Sequence, residues 1–277
     1  MKKEAAEQPV LFCVALFVIC SAARCVEYFA VRTDQTAFAE NFIHKLFGIG
    51  LVFLVLKALG RTWSGIGFQR ENCVRQLGLG LLLGTACFFV SYGAELLVLS
   101  AWRQGPRLRF FADAFSISGR SAAQGVSVFI FLCLLFNALN VWMEEGLFRG
   151  LYLNILQEKY AFWIANLIAA LLFGVWHWVM PMRDYFDGRS SVANLLVMGA
   201  GYIVLAGVMS LKWGMLYRLS GSLWIGLGDH FFNNTVTNLL HIVSRGGTDE
   251  LQIVRIVLAQ LLSFAIVGAS YKKQMRG

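Results

Sequence analysis

The chain has 277 residues, of which 58% are hydrophobic and only 14% are charged, and its formal net charge is +8. Soluble domains carry about 45–50% apolar and about 25% charged residues, so this composition excludes a soluble globular domain. The positive charge suits anionic lipid headgroups, because the basic residues form no long stripe with interleaved stacking aromatics. We therefore expect membrane lipids as partners and no nucleic acid.

Apolar segments with the length of a membrane span recur along the whole chain. A membrane-spanning helix needs about 20 mostly apolar residues. Eight segments reach or approach this length: 9–31, 43–60, 76–102, 124–157, 160–180, 192–217, 222–243 and 251–271. They predict an all-α fold, a polytopic membrane helical bundle of about eight transmembrane helices, in a single transmembrane domain over 1–277.

Two stretches and the distribution of basic residues refine this prediction. Segment 124–157 is longer than one span and charged in its second half, which predicts a helix that enters one leaflet and emerges as an interfacial helix near Gln157. The stretch 103–120 carries four Arg and three Phe, which indicates a segment on the membrane surface. Twelve Lys and Arg fall on the side of both termini and nine on the other, which favours cytoplasmic termini.

Charged side chains inside the apolar segments need a reason, because each costs about 2.5–3.5 kcal/mol within a bilayer. Glu145 and Arg149 are four residues apart and would face each other on a helix as an ion pair. Glu144 is turned about 100° away, onto a stripe with Asn137 and Asn140. The spacing favours Glu145–Arg149 as a structural pair and Glu144 as the working carboxylate. The alternative is that both Glu side chains are simple ion-pair partners.

A second polar stripe lies in segment 222–243. His230 and Asn234 are four residues apart and share a helix face, which Thr237 and His241 extend. Such a stripe in an apolar helix points to the bundle interior or to a water-filled cavity. The alternative is hydrogen bonding between helices, worth about 0.6 kcal/mol for each group. Asp229 lies off this stripe and is interpreted either as a charge that supports the stripe from behind or as a charge at its rim.

His177 adds a second imidazole on a third helix, between two tryptophans, and taken alone it is more typical of packing than of catalysis. Together with Glu144, His230 and Asn234 it forms the set of groups that a water-activating site needs. A Glu accepts a proton from water, and a His orients that water or passes the proton to a leaving amine. A second His and an Asn can donate hydrogen bonds to an oxyanion. A Glu/His/His set is equally suited to zinc, and the residues alone do not separate these two chemistries.

Three motifs with this content follow one another in order: Glu144-Glu145-x-x-x-Arg149, Phe173-x-x-x-His177 and His230-x-x-x-Asn234. In order and spacing they resemble the motif set of the CAAX protease and bacteriocin-processing (CPBP, or Abi) family. That family includes the type II CAAX prenyl endopeptidases. The resemblance covers about 142–234, within a catalytic core that we delimit as 124–243.

The resemblance implies an eight-helix intramembrane endopeptidase that cleaves a membrane-associated protein or peptide. It implies that Glu144 and His177 activate the attacking water and that His230 and Asn234 form the oxyanion hole. Glu145, together with Arg149, would support them. The short loops are typical of bacterial members, so we expect a bacterial plasma membrane and substrates that are not prenylated.

Three alternatives stay open at this stage. No cofactor is expected, but a zinc-dependent version of the same hydrolysis would use Glu144, His177 and His230 as ligands. The same scaffold could instead serve as a catalytically silent immunity or binding protein for a bacteriocin or toxin. A proton-coupled or ion-coupled transporter is disfavoured, since no repeat symmetry and no matching pair of broken helices is visible in the sequence.

Overall fold

The computed structural model describes residues 1–111 and 127–274. In this part of the chain the helices are α1 (Lys2–Glu7), α2 (Pro9–Val26), α3 (Ile43–Leu59), α4 (Cys73–Ala101), α5 (Ser127–Glu144), α6 (Leu153–Leu156), α7 (Phe162–Trp176), α8 (Val179–Phe186), α9 (Val192–Ser220), α10 (Trp224–Leu239) and α11 (Gln252–Gln274). Two short strands, β1 (Arg107–Phe110) and β2 (Leu240–Val243), pair antiparallel. Two π-helical stretches, Glu27–Val31 and Glu145–Tyr152, continue α2 and join α5 to α6.

Among the described residues, six helical segments are long and apolar enough to cross a membrane: Pro9–Gln35, Cys73–Ala101, Val128–Leu156, Phe162–Phe186, Val192–Ser220 and Gln252–Gln274. Two further predicted segments correspond to the shorter helices α3 and α10, of 17 and 16 residues. The predicted all-α membrane bundle is therefore confirmed, and each of the eight apolar segments contains a helix.

The distribution of side chains is that of a protein surrounded by lipid. Large apolar side chains such as Phe89, Leu97 and Val197 are highly exposed on the outside of the bundle. Charged side chains such as Glu145 and Lys212 are buried inside it. Lipid solvates the apolar surface, whereas the charges avoid it by facing one another in the interior.

The two ends of the bundle can be told apart by their contacts. At one end the Lys159 ammonium donates to the Glu7 carbonyl at 2.8 Å, and Tyr271 stacks on Phe162. We call this end the terminal face, because residues near both chain termini lie there. The other end carries β1, β2 and the connection 32–42, and we call it the strand face. Both termini lie on the same face because the chain crosses the bundle an even number of times.

The long fourth segment does not emerge as an interfacial helix, so that prediction is wrong. From α5 through the π-helical stretch to α6 the path is continuous, and Leu147, Leu151 and Ile155 are fully buried. The charges in its second half turn toward the bundle interior, and neighbouring helices cover them. The first residues of the segment, 124–126, lie outside the described residues.

Two other predictions, for His241 and Lys212, are corrected, whereas the prediction that 103–120 lies on the membrane surface stays a prediction. The helix in segment 222–243 stops at Leu239, so His241 lies on β2 and does not extend the helical stripe. In the stretch 103–120, residues Arg107–Phe110 form a strand, while 112–120 lie outside the described residues. Lys212, which was counted as a loop charge, lies inside α9 and is only 1% exposed.

Candidate active site

A cavity of about 160 Å³ lies within the bundle, between α5, α7, α9, α10 and α11. Glu144, His177, His230 and Asn234 all line it, although they come from three separate segments of the chain. Its lining also includes Glu40, in the connection before α3, and Gln252, at the start of α11. The cavity therefore extends from the middle of the bundle toward the strand face.

Glu144 occupies the last position of α5 and is 2% exposed. Its Oε1 accepts a hydrogen bond from Trp176 Nε1 at 2.9 Å. Its Oε2 lies 3.5 Å from His230 Nε2 and has no hydrogen-bond partner among the described residues. The carboxylate is thus held on one oxygen, and the other oxygen is left to interact with whatever enters the cavity.

Glu145 makes a contact that the spacing argument did not predict. Its Oε1 lies 2.9 Å from His230 Nδ1, while its Oε2 lies 3.5 Å from Arg149 Nε. The Arg149 guanidinium sits over the rings of Phe173 and Trp213, at 4.0 and 4.8 Å from their centroids. The pairing of Glu145 with Arg149 is present but loose, and aromatic faces provide much of the environment of the cation. Glu145 also orients an imidazole that lines the cavity.

The two adjacent carboxylates lie where α5 passes into the π-helical stretch from Glu145 to Tyr152. A wider helical turn changes the angle between neighbouring side chains, and such turns are common at functional sites. Glu144 reaches Trp176 on α7, whereas Glu145 reaches His230 on α10. Hydropathy and residue spacing carry no signal for this change of hydrogen bonding, so sequence reasoning missed it.

His177 immediately follows α7, and its tautomer is set by the backbone. Its Nδ1 lies 2.8 Å from the Phe173 carbonyl oxygen. A carbonyl oxygen only accepts, so Nδ1 carries the proton and donates it. In the neutral ring Nε2 then holds the lone pair and is the atom available to accept a proton.

Of the two interpretations of Asp229, its contacts agree with a supporting charge behind the cavity and not with a charge at the rim. Its Oδ2 accepts from Lys212 Nζ at 2.5 Å and from Trp213 Nε1 at 2.8 Å. The Trp213 indole stacks on the His230 imidazole, with centroids 3.9 Å apart and an interplanar angle of 16°. Asp229 therefore fixes the aromatic plane against which His230 lies. The sequence signal for the Lys212–Asp229 pair was that both charged residues lie within apolar segments.

The remaining members of the two predicted stripes divide between the cavity and other contacts. Asn140 and Thr237 line the cavity, and Thr237 Oγ1 donates to the Asn233 carbonyl. Asn137 is fully buried and is not part of the cavity lining. His241 Nδ1 instead lies 3.2 Å from Asp249 Oδ2, at the strand face.

Arg24 is a cavity-lining cation that sequence reasoning did not single out. It is 6% exposed, and its Nη1 donates to the Trp176 carbonyl at 2.7 Å. Its guanidinium also lies 4.3 Å from the centroid of the Trp176 ring. The sequence signal for this residue was a single Arg within the apolar stretch of α2. The Arg24 side chain places a positive charge at one wall of the cavity.

The candidate ligands for zinc do not form a metal-binding arrangement. Within 1–111 and 127–274, no group of three His, Cys, Asp or Glu side chains is arranged to hold a metal ion. His230 presents Nδ1 to Glu145, and His177 presents Nδ1 to a carbonyl oxygen. Metal-ligating histidines commonly make such contacts at Nδ1 while Nε2 binds the ion, so these two hydrogen bonds do not decide between the zinc-dependent and the metal-free chemistry.

Comparison with known proteins gives a family match for the part of the chain that holds this cavity. Residues 126–236 match the family model described as type II CAAX prenyl endopeptidase Rce1-like. No curated protein and no solved structure matches the chain. The matched region contains all four predicted catalytic residues and the Glu145–Arg149 pair, and the apolar helices make this an integral membrane protein. Over residues 126–236 the chain is thus similar to the type II CAAX prenyl endopeptidases of this family model.

Proposed function

We propose that this protein hydrolyses a peptide bond in a membrane-associated protein or peptide, with a water molecule activated by Glu144 and His177. The observation that carries the proposal is that Glu144, His177, His230 and Asn234 line a single cavity inside a membrane bundle. Peptide hydrolysis requires water, a base, a proton donor and a stabilised oxyanion. A polar cavity in the bundle is where these four requirements can be met together.

Glu144 is proposed as the general base. Trp176 holds Oε1 at 2.9 Å, which leaves Oε2 to accept a hydrogen from water. His177 lines the same cavity with its Nε2 as the acceptor atom of the ring. After attack, a proton taken from the water passes to the leaving amine, and the two residues are the groups that carry it.

His230 and Asn234 are proposed as oxyanion donors. Glu145 Oε1 lies 2.9 Å from His230 Nδ1, so one proton sits between these two atoms. With that proton on Glu145 Oε1, His230 Nδ1 accepts it, and the neutral imidazole carries its own proton on Nε2 as a donor toward the cavity. Donors fixed in advance at the developing oxyanion stabilise the transition state without reorganisation.

The reaction can be tested with purified protein in liposomes. The probes are synthetic single-span peptides that carry a short extended tail at either membrane surface, and the products are identified by mass spectrometry. In water labelled with heavy oxygen, the new C-terminal carboxylate should carry the label, and Glu144→Gln should yield no product. Equal product from the wild type and from Glu144→Gln would contradict the proposed mechanism.

Two controls separate the alternatives to this mechanism. Activity should persist after treatment with a zinc chelator, whereas loss on chelation and recovery with added zinc would favour the metal-dependent version. If the wild type cleaves no probe but Glu144→Gln and His177→Ala still protect cells from a bacteriocin, the immunity reading takes precedence. Protection that disappears in both variants would support hydrolysis.

We also propose that both termini are cytoplasmic, in a bacterial plasma membrane. With the buried Lys212, Lys45 and Arg183 left out of the count, eleven Lys and Arg remain on the terminal side and seven on the other. In this orientation Glu40 and Gln252 place the cavity mouth on the outer side of the membrane. Reporter fusions at the C-terminus and at the Gly246–Gly247 turn should report opposite sides. A cytoplasmic signal from the turn would reverse the orientation.

A further inference from the structure

A buried lysine in the middle of α9 has all three of its donors in use. Lys212 is 1% exposed, and its Nζ contacts Asp229 Oδ2 at 2.5 Å, Gln260 Oε1 at 2.7 Å and Ser263 Oγ at 3.0 Å. A lysine ammonium has three N–H donors and no acceptor. Its three partners therefore have to present oxygen atoms to it.

This requirement fixes the orientation of the Gln260 amide. Because Gln260 Oε1 faces the ammonium, its Nε2 faces away from it and donates to Asn233 Oδ1 at 2.9 Å. The two ends of a side-chain amide are nearly alike in shape, so hydrogen-bond partners decide between them. A donor-only cation at one end makes the choice unambiguous.

The oriented hydrogen bonds continue from Gln260 through Asn233 to Asn234 at the cavity. Asn233 uses Oδ1 to accept from Gln260, so its Nδ2 donates to Asn234 Oδ1 at 3.0 Å. Asn234 uses its oxygen in this bond, which leaves its Nδ2 to donate into the cavity that it lines. The chain of bonds from Lys212 through Gln260 and Asn233 thus sets Asn234 as a donor, as an oxyanion requires.

A second path from the same ammonium reaches the other donor. Asp229, which accepts from Lys212, also accepts from Trp213 Nε1 at 2.8 Å. Trp213 stacks on the His230 imidazole at 3.9 Å. One buried cation therefore connects to both groups that face the developing oxyanion.

We propose that Lys212 is a positioning residue that orients the amide of Asn234 through Gln260 and Asn233, so that Asn234 donates its N–H to the substrate oxyanion. The inference deepens the proposed function and depends on it. Without these hydrogen bonds the Asn234 amide could rotate and present its oxygen to the oxyanion. The two oxygens would then repel each other, and the transition state would lose a hydrogen-bond donor.

The test compares two substitutions that each remove one acceptor from the Lys212 ammonium. Gln260→Met interrupts the path to Asn234, whereas Ser263→Ala removes an acceptor that is not on the path. We expect Gln260→Met to lower kcat on a cleaved single-span peptide by about 10- to 100-fold, below the cost of deleting an oxyanion donor. Its KM should change little, and Ser263→Ala should keep kcat near the wild-type value.

Two further variants distinguish orientation from a general packing effect. Gln260→Glu keeps an oxygen for Lys212 but removes the N–H that Asn233 accepts, so it should lose kcat as Gln260→Met does. In an Asn234→Ala background, Gln260→Met should have no additional effect on kcat, because the donor that it orients is already absent.

Equal loss of kcat in Gln260→Met and Ser263→Ala, or an undiminished effect of Gln260→Met in the Asn234→Ala background, would overturn the inference. The proposed function would survive that result as long as the wild type cleaves and Glu144→Gln does not. Failure of Glu144→Gln to reduce cleavage would instead remove the proposed function. The two failures are therefore distinguishable in one set of measurements.

Discussion

Two clusters of buried charged side chains differ in whether they face the cavity. The cavity cluster comprises Glu144, Glu145, Arg149, His177 and His230. The strand-face cluster comprises Glu95, His241, Asp249 and Arg255. In the strand-face cluster Arg255 forms short ion pairs with both carboxylates. Its Nη1 lies 2.5 Å from Glu95 Oε2, and its Nη2 lies 2.6 Å from Asp249 Oδ2.

In the part of the chain that the structure describes, the carboxylates of the cavity cluster have no such short ion pair with an arginine. Glu144 Oε2 has no hydrogen-bond partner among the described residues, and Arg149 lies against aromatic rings rather than in short contact with a carboxylate. A buried charge is thus not by itself a mark of catalysis, because a closed ion network is also buried. The informative feature is a carboxylate that keeps an oxygen available to a cavity.

The largest expected effect on stability is in the strand-face cluster. Arg255→Leu leaves Glu95 and Asp249 buried without their cation, so the free energy of unfolding should fall by about 3–5 kcal/mol. Denaturant unfolding in detergent measures it. Arg75→Gln, an exposed position on the same helix as Glu95, is the control and should change little. An equally small effect at Arg255 would mean that the cluster is not an ion network.

Next in size is the expected effect of Asn234→Ala on the reaction. Removal of one oxyanion donor typically costs about 10²–10³-fold in kcat. Asn137→Ala is the matched control, because Asn137 is a buried Asn that does not line the cavity. It should affect thermal stability and leave kcat unchanged. A loss of kcat that is equal in the two variants would remove the distinction between cavity and packing positions.

The smallest expected effect concerns pH and Asp249. Burial acts to raise the pKa of Asp249, but hydrogen bonds from His241 and Arg255 and the charge of Arg255 outweigh it and hold the pKa below its ordinary value. The stability that Asp249 provides is therefore present above its unfolded pKa of about 3.9 and is lost as the pH falls through the lower folded value.

Melting temperatures in detergent across the acidic range test this sign. Asp249→Asn should melt below the wild type at neutral pH, and the gap should close as the pH falls below about 3.9 and the wild-type carboxyl takes up its proton. A gap of constant size at every pH would indicate that the charge of Asp249 does not contribute to stability.

Much of the fold, and which polar side chains line the cavity, followed from the sequence for identifiable reasons. Apolar length determines a membrane helix, so the eight helical segments were predictable. Polar groups inside such helices turn inward, so Glu144, His230 and Asn234 were expected to meet at an interior surface. His177 needed the motif context, because a single His beside aromatic residues is ambiguous.

Other features depend on contacts that are distant in the sequence. Lys212 pairs with Asp229 across two helices, and the bare sequence gave it the appearance of a loop charge. The pairing of β1 with β2, which ends the helical stripe before His241, joins segments more than a hundred residues apart. The π-helical stretch at Glu145 is a change of hydrogen bonding with no counterpart in the hydropathy pattern. Such features become visible only when the helices are packed.

The most direct test of the account is to neutralise one buried glutamate in each cluster and to measure kcat and melting temperature side by side. Glu144→Gln should lower kcat by about 10²–10⁴-fold, the usual contribution of a general base, with the melting temperature unchanged. Glu95→Gln should weaken a charged hydrogen bond worth about 1.5–3 kcal/mol and keep kcat near the wild-type value. Retention of full activity by Glu144→Gln would contradict the central claim that its carboxylate activates water in the cavity.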